Sequence, residues 1–273
     1  MISKPYPELD ELLRMVGEAG KRLADIKACE GAAGNISVCL GRQVDIGDRF
    51  PVLDEIELPL AVPKLAGATI LVSGSGSRLC EYLDDPGANI ACVVVNDDGQ
   101  TAKMFSSPDR CFQRVTSEFN SHLAVHNDQV IATGTKFQAI IHAQPIHLTF
   151  LSHIPRYQDQ QVLNTHLLRW QPETILNLPE GIAFIPFLVP GSAELMAATV
   201  AAMHDHQVVL WAKHGVMARS DVSVKRAVDL IEYAEAAAEY EYRNLVLGEP
   251  SEGLSESEIR AIRLSYFLQT TSV

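Results

Sequence analysis

Long apolar runs are absent from the chain: no stretch of about 18 consecutive apolar residues occurs, and residues 1–5 lack an apolar leader segment. Positive charge is also scarce, because 22 Lys and Arg residues face 34 Asp and Glu residues and the net charge is -12. Such a charge repels phosphate backbones and anionic lipids. We therefore expect a cytoplasmic protein with neither a nucleic acid nor a membrane as its partner.

Cysteines are few and scattered. The five residues lack the CxxC spacing of metal sites and the even number of a secreted disulfide framework. Most of them stand in apolar surroundings, so the sequence predicts buried, reduced thiols rather than ligands or crosslinks. They are Cys29, Cys39, Cys80, Cys92 and Cys111.

The length and composition are those of an ordinary globular protein. A chain of 273 residues with 47% apolar and 21% charged residues can bury one large core, and we expect a single domain over residues 1–273. Helical and strand patterns are mixed without regular βαβ order, which indicates a layered sheet with helices packed on it. Helices are predicted at 6–28, 116–126, from about 146, at 192–204, at 221–247 and from 255, and strands at 36–40, 68–72, 90–95, 101–104, 137–142, 181–187, 208–211 and 216–219.

An apolar run that ends in polar side chains organises the middle of the chain. It reads FQAIIHAQP over residues 137–145. Alternation in a strand sends His142 and Gln144 to the same side, and Pro145 cannot continue the ladder because it has no amide hydrogen. Two polar side chains at a rigid strand end suit a metal ion, and His214, within WAKHG at 211–215, is a natural third ligand.

Two glycine-containing loops could hold an anion. In SGSGS, residues 73–77, the glycines let the backbone approach a ligand while hydroxyls and amides contact it. The nucleotide fingerprint GxGxxG is not satisfied, because Leu79 stands at the third glycine position, so the alternative is a simple tight turn. The loop GAAGN, residues 31–35, could add an amide and the Asn35 carboxamide, or could be a helix C-cap followed by a turn.

The segment Thr116-Ser117-Glu118 opens a predicted helix. Free amides at a helix N-terminus favour anions, and a carboxylate inside a cleft can act as a general base. The alternative is a capping segment with a solvated Glu118. The remaining histidines are expected to be surface or hydrogen-bonded core residues; they are His122, His126, His147, His153, His166, His204 and His206.

Taken in order, these stretches resemble the class II aldolases of the aldolase/adducin superfamily, and among them the rhamnulose-1-phosphate aldolases. No single motif is sufficient, and the resemblance depends on their order and spacing along nearly the whole chain. The matching segments are GAAGNIS at 31–37, SGSG at 73–76, DPGAN at 85–89, TSE at 116–118, IHAQ at 141–144, VPG at 189–191 and KHG at 213–215.

The resemblance implies a three-layer α/β (αβα) fold, in which helices flank a central, mainly antiparallel sheet, and a homotetramer with active sites near subunit boundaries. It implies a divalent metal cofactor, zinc or another ion such as manganese, held by His142, Gln144 and His214, and an acid/base role for Glu118. Glu173 falls where the family has a glutamate that reaches a neighbouring subunit's site. The residues that match contacts to a small sugar phosphate are Gly34, Asn35, Ser75, Gly76, Thr116 and Ser117.

Two positions depart from the family pattern. Where the family has His-x-His, Gln144 replaces the second imidazole, and a neutral amide oxygen suits zinc less well than nitrogen or carboxylate. We therefore expect weaker metal binding or a changed metal, with Glu118 able to move onto the ion. Ala32 stands where rhamnulose-1-phosphate aldolases have an asparagine that contacts phosphate, so one hydrogen bond to that phosphate is lost.

These features predict a metal-dependent lyase that cleaves a ketose 1-phosphate of the rhamnulose-1-phosphate type into dihydroxyacetone phosphate and an aldehyde. Two alternatives stay open. Sugar-phosphate epimerases of the same superfamily share the metal site and the retro-aldol chemistry. A catalytically impaired binding or scaffold protein, as in the adducin branch, would explain the residues at positions 144 and 32.

Overall fold

One mixed β-sheet forms the centre of the protein. The computed structural model describes residues 7–270, with side chains from 7 to 266, so the start of the helix predicted from residue 6 and the leader region at 1–5 lie outside the described residues. The nine strands lie in the order β2-β5-β4-β3-β1-β6-β9-β8-β7, and every neighbouring pair is antiparallel except β7 and β8. The strands are β1 (Asn35–Leu40), β2 (Val52–Glu57), β3 (Thr69–Ser73), β4 (Ile90–Val95), β5 (Thr101–Ser106), β6 (Phe137–Ala143), β7 (Ile182–Ile185), β8 (Val208–Trp211) and β9 (Gly215–Ser220).

Helices cover both faces of the sheet. On one face, α1, α4, α5, α6 and α8 pack over the sheet in one large apolar cluster, and on the other face α3 and α7 pack over two smaller clusters. This arrangement confirms the predicted three-layer αβα fold. The helices are α1 (Leu9–Asp25), α2 (Pro86–Asn89), α3 (Phe119–Thr133), α4 (Ile146–Leu151), α5 (Gln160–Leu168), α6 (Pro172–Asn177), α7 (Ala193–Asp205), α8 (Val224–Val246) and α9 (Glu256–Thr270).

The middle of the sheet positions the polar residues of interest. β1 is the central strand, and in its register with β6 Asn35 lies opposite His142. Alternation along β1 sends Ile36 into the large cluster and Asn35 and Ser37 toward α3. Because both faces are covered by helices, β1 and β6 are buried throughout, which explains their nearly continuous apolar sequences.

Some elements differ from the sequence prediction. The edge strand β2 was not predicted, since its sequence VLDEIE is rich in acids and its side chains alternate between half-buried and exposed at the sheet's edge. The short helices α5 and α6 were not predicted either. Helix α3 begins after Glu118 and continues to Thr133, seven residues beyond the predicted end, where Gly134 adopts a left-handed φ of 68° and ends it.

The predicted capping box of the last helix is confirmed. Ser255 N donates to Glu258 Oε2 at 2.8 Å, and Glu258 N donates to Ser255 Oγ at 3.4 Å. The prediction for the cysteines is right in part, because all five thiols are free and Cys39 and Cys92 are buried. It is wrong for Cys80 and Cys111, which lie exposed in connecting segments rather than in the core.

A buried carboxylate connects α5 to α8. Glu241, on α8, is fully buried and accepts hydrogen bonds from His166 Nδ1 at 2.9 Å, Arg169 Nη2 at 3.0 Å and Trp170 Nε1 at 3.1 Å, as well as from the Tyr157 hydroxyl. Burial alone would raise the pKa of Glu241, but the hydrogen bonds from Tyr157 and Arg169 outweigh it and lower that pKa.

None of the helices within residues 7–270 combines the length and apolar character that a bilayer crossing requires.

Candidate active site and metal centre

Three side chains from distant parts of the chain converge at the end of β6. Glu118 precedes α3, His142 lies near the end of β6, and His214 lies in the turn between β8 and β9. Glu118 Oε1 is 3.4 Å from His214 Nε2, and Glu118 Oε2 is 3.6 Å from His142 Nε2. One ligand atom from each residue lies within 4.8 Å of the others. The predicted meeting of His142 and His214 beside a carboxylate is therefore a feature of the fold.

The ring of His142 is fixed by a backbone contact. Its Nδ1 donates a hydrogen bond to Val216 O at 2.9 Å, across the β6–β9 pair. A carbonyl oxygen only accepts, so the proton of the neutral ring lies on Nδ1 and the lone pair lies on Nε2, the atom that faces Glu118. This is the arrangement that metal-binding histidines commonly have, with the second nitrogen held by a backbone carbonyl.

His214 is held by a tight turn. The preceding residue, Lys213, has a left-handed φ of 63°, and its amide donates to Ser152 Oγ at 2.7 Å. The following residue must be glycine, because a Cβ at Gly215 would lie 2.4 Å from Ala143 O. Burial, followed by the charge of His142, lowers the pKa of His214 to about 4, and the opposing effect of Glu118 is smaller. The imidazole is therefore neutral at pH 7 and keeps a lone pair for a metal ion.

Trp211 supports both imidazoles. Its ring is stacked on His142 at a centroid distance of 4.9 Å and on His214 at 5.1 Å. The indole is 1% exposed and its Nε1 donates to Thr199 Oγ1 at 3.0 Å, which holds the ring to α7. Two flat contacts on a fixed ring restrict rotation of both histidines. The sequence analysis gave Trp211 no role, although its position three residues before His214 was visible.

The predicted anion-binding loops lie next to this cluster. Thr116 N donates to Ser73 O at 2.9 Å and Ser75 N donates to Arg114 O at 2.8 Å, so the loop at 73–77 and the segment before α3 run side by side. In the GAAGN loop, Gly34 has a φ of 86°, and a Cβ there would lie 3.0 Å from His142 O.

The groups of these loops differ in their access to a ligand. Ser117 and Gly76 are exposed, Gly34 and Ser75 are half-buried, and Thr116 and Asn35 are buried. A cavity of about 530 Å³ opens beside Thr116 and Ser117. Glu118, His142 and His214 are not among the residues that line this cavity. Contact of the loop residues with phosphate stays a prediction.

Comparison with known proteins decides the family. The family model of the Class II Aldolase and Adducin N-terminal domain matches residues 14–242. The chain belongs to this family. A rhamnulose-1-phosphate aldolase from Bacteroides thetaiotaomicron is 28% identical over 264 residues, 96% of each chain. Another, from Escherichia fergusonii, is 30% identical over 241 residues, 85% of each chain.

A solved structure supports the same assignment. The sugar-phosphate aldolase from Thermotoga maritima superposes on this chain with a TM-score of 0.74 at 29% identity, covering 89% of this chain and 98% of that one. The resemblance stated from the ordered motifs is thereby confirmed: this class II aldolase family member lies close to the rhamnulose-1-phosphate aldolases.

The donor set in this family member suits a divalent ion. Two imidazole nitrogens and one carboxylate oxygen are ligand types of catalytic zinc, which keeps a further position for water or substrate. Ligand atoms about 2.1 Å from a tetrahedral ion lie roughly 3.4 Å apart. Glu118 Oε1 is 3.4 Å from His214 Nε2, its other oxygen Oε2 is 3.6 Å from His142 Nε2, and one ligand atom from each of the three residues lies within 4.8 Å of the others. The residues present therefore fit the metal that the family implies.

Gln144 lies on the same side of β6 as His142, as predicted. A Cβ built on Gly215 would be 3.0 Å from both Gln144 Cγ and His142 Cε1, so the two side chains flank the same point. The backbone N–H of Gln144 donates to Ala28 O at 2.6 Å. Glu118 stands beside both imidazoles, and the expectation that a carboxylate could join them agrees with the geometry. A bond from Gln144 to the metal stays a prediction.

Glu173 belongs to a different element from these loops. It occupies the first turn of α6, which packs against α8 and α9, and its side chain is exposed. An exposed glutamate is available to a second subunit, and its predicted role across a subunit boundary stays a prediction.

Sequence reasoning missed one contact of Glu118. Asn35 Nδ2 donates to Glu118 Oε2 at 2.9 Å, so this asparagine holds the carboxylate in addition to any contact with substrate. Both side chains are buried, at 7% and 5% exposure. The spacing of Glu118, His122 and His126 at intervals of four residues was visible in the sequence, but it gave no sign that Asn35 lies against them.

Proposed function

We propose that the chain is a divalent metal-dependent aldolase that cleaves a ketose 1-phosphate, of the rhamnulose-1-phosphate type, into dihydroxyacetone phosphate and an aldehyde. The observation that carries the proposal is the position of Glu118, 3.4 Å from His214 Nε2 and 3.6 Å from His142 Nε2, in a chain of this family. Two relatives, similar over 96% and 85% of this chain, are rhamnulose-1-phosphate aldolases, which supports the choice of substrate class.

The residues divide the chemistry between them. His142 and His214, with Glu118 or Gln144, would hold the ion, and a bound divalent ion would act as a Lewis acid toward oxygens of the substrate. Glu118 is a buried carboxylate with one oxygen facing each imidazole, and it would carry the proton that moves at the carbon next to the carbonyl. Asn35 would keep that carboxylate in place through its 2.9 Å hydrogen bond.

The phosphate would be bound by the neighbouring loops. Ser75, Gly76 and Ser117 offer hydroxyl and amide groups at accessible positions, and such groups bind phosphate without a positive side chain. Ala32 contributes no side-chain hydrogen bond. We therefore expect a higher KM for phosphorylated ketoses than an asparagine at this position would give.

The test is release of dihydroxyacetone phosphate from a panel of ketose 1-phosphates, measured by coupled reduction to glycerol phosphate, with Zn²⁺ or Mn²⁺ supplied. We expect turnover of a deoxyketose 1-phosphate and a loss of about 10²- to 10⁴-fold in kcat for Glu118→Gln, because general acid/base catalysis contributes that much. Glu55→Gln, on the exposed edge strand, is the control and should leave kcat unchanged. No release of dihydroxyacetone phosphate from any member of the panel would refute the proposed substrate class.

One observation favours a second candidate, a catalytically impaired binding or scaffold protein. Gln144 replaces an imidazole at the metal site, and a weak site could be empty under physiological conditions. Metal analysis of the native protein separates the two candidates, because a stoichiometric divalent ion contradicts the scaffold. A sugar-phosphate epimerase would instead convert its substrate without releasing dihydroxyacetone phosphate.

The proposed homotetramer, with Glu173 reaching a partner's site, is tested by light scattering and by a Glu173→Gln variant that should lose activity while staying assembled.

A further inference from the structure

A chain of buried hydrogen bonds leads away from Glu118 into the protein. Asn35 Nδ2 contacts Glu118 at 2.9 Å, and Asn35 Oδ1 contacts His122 Nε2 at 2.5 Å. His122 Nδ1 then lies 2.7 Å from Ser37 Oγ, which lies 2.7 Å from His126 Nε2. The histidines and the serine are fully buried. Such a chain costs desolvation energy unless its members are paired, so the direction of each hydrogen bond matters.

The periodicities of a helix and a strand create this chain. His122 and His126 are four residues apart on one face of α3, and Glu118, four residues before His122, stands at the N-cap of the same helix. Asn35 and Ser37 are two residues apart on β1 and share the face toward that helix. Helix and strand side chains therefore alternate along the contact, and the order from the site inward is Glu118, Asn35, His122, Ser37, His126.

The direction of each hydrogen bond follows from the donors available. Asn35 Nδ2 donates to Glu118 Oε2, so the Asn35 oxygen faces His122 and accepts from His122 Nε2–H. Burial lowers the pKa of His122 well below its ordinary value, with smaller effects of His126 and His142, and lowers that of His126 to about 4. Each neutral ring has a single N–H. His122 Nδ1 therefore accepts from the Ser37 hydroxyl.

The inner end of the chain completes this order. Ser37 Oγ, having donated to His122, accepts from His126 Nε2–H. His126 Nδ1 must then accept, and its neighbour is the Gln138 carboxamide, whose Oε1 is 2.7 Å away. The oxygen and NH₂ groups of an amide have nearly the same shape, so a half-turn of Gln138 supplies the donor without moving other atoms.

We propose that His122 is a positioning residue for Glu118 and acts through Asn35. By donating to Asn35 Oδ1, it prevents the carboxamide from turning its oxygen toward the carboxylate 2.9 Å away. Glu118 then keeps a charge-assisted hydrogen bond and its place between the two imidazoles of the metal centre. Ser37 and His126 hold His122 in the tautomer that this requires. The catalytic consequence depends on the proposed aldolase function, whereas the tautomer does not.

Two variants test the catalytic consequence. His122→Phe removes the donor to Asn35, and His122→Gln restores an N–H near the position of Nε2. The readout is deuterium exchange at C3 of dihydroxyacetone phosphate in D₂O, which isolates the proton transfer from carbon–carbon cleavage. We expect the Phe variant to lose about 10- to 100-fold in exchange rate, the range of one charge-assisted hydrogen bond, and the Gln variant to recover most of it.

A matched control and a spectroscopic readout make the test decisive. His166→Phe removes a hydrogen-bonded imidazole on the other face of the sheet, beside Glu241, and should leave exchange per folded molecule unchanged. Imidazole ¹⁵N spectra, assigned with the Gln variant, should show the Nε2–H tautomer of His122. An Nδ1–H tautomer, or equal exchange rates in wild type and the Phe variant, would overturn the inference. If wild-type protein shows neither cleavage nor exchange, the aldolase proposal fails, and the ¹⁵N spectrum alone decides the positioning of Asn35.

Discussion

Restoring an imidazole at position 144 is the sharpest test of the metal centre. Gln144 and His142 flank the point where a Cβ on Gly215 would lie, 3.0 Å from each side chain. Since position 215 carries no side chain, a ring at 144 has room beside His142. Gln144→His would therefore add a third imidazole to a site that already has Glu118, His142 and His214 in mutual reach.

The expected gain follows from the donor types. An amide oxygen is a poorer zinc ligand than a neutral imidazole. Loss of a residue that only hydrogen-bonds a metal ligand already costs about 10- to 100-fold in metal affinity. A direct imidazole ligand should give at least this factor. The corresponding free energy is about 1.4 to 2.7 kcal/mol. We thus predict that Gln144→His lowers the zinc Kd at least 10-fold.

The assay is competition between the protein and a chelating zinc indicator at fixed pH. Gln144→Leu is the matched variant, because it removes the amide oxygen and keeps the size of the side chain. If Gln144 binds the ion, the Leu variant binds zinc more weakly than wild type. An unchanged or higher Kd for Gln144→His would refute the placement of position 144 at the metal site.

Two further predictions concern stability. Glu241→Gln should lower the free energy of unfolding by about 3 kcal/mol at pH 7, because it breaks a buried charged cluster. The pKa of Glu241 is lower in the folded protein than in the unfolded chain, where it is about 4.5. The ionised Glu241 therefore stabilises the fold fully above about pH 4.5, and this stabilisation is lost as the pH falls through the folded-state pKa. In urea unfolding, the difference in free energy of unfolding between wild type and Glu241→Gln should therefore shrink below about pH 4.5. A difference that stays constant with pH would show that the ionised carboxylate is not its cause. Gly215→Ala places a Cβ 2.4 Å from Ala143 O and should cost about 1 to 3 kcal/mol with weaker zinc binding; a thermal melt and a zinc titration equal to wild type would contradict the steric argument.

Local patterns were enough for much of the fold. The apolar run before His142 predicted β6, and the helical spacing of apolar residues predicted α1, because burial of one face gives the sequence a period. The Ala- and Glu-rich composition of residues 221–247 predicted α8. β2 escaped prediction since an edge strand with acidic residues carries a weak apolar signal. The end of α3 was placed too early because three polar residues, Asn127, Asp128 and Gln129, follow His126, and Gly134 was the stop signal.

The candidate site divides in the same way. His142 and Gln144 could be placed on one side of a strand from alternation alone, and the ordered motifs identified Glu118 and His214. The hydrogen bond from Asn35 to Glu118 and the chain behind it could not be predicted. Their formation depends on how α3 lies against β1, which no local pattern specifies.

The sequence by itself determined the periodic elements, the family and the residue types that bring nitrogen and carboxylate donors to a strand end, because these depend on spacing and on the chemistry of single side chains. Only the tertiary structure decided which oxygen of Glu118 faces which imidazole, that Trp211 supports both rings, and that His122 stands behind Asn35. Contacts between elements far apart in the chain depend on packing of the whole core, and a difference of about one ångström in that packing makes or breaks a hydrogen bond.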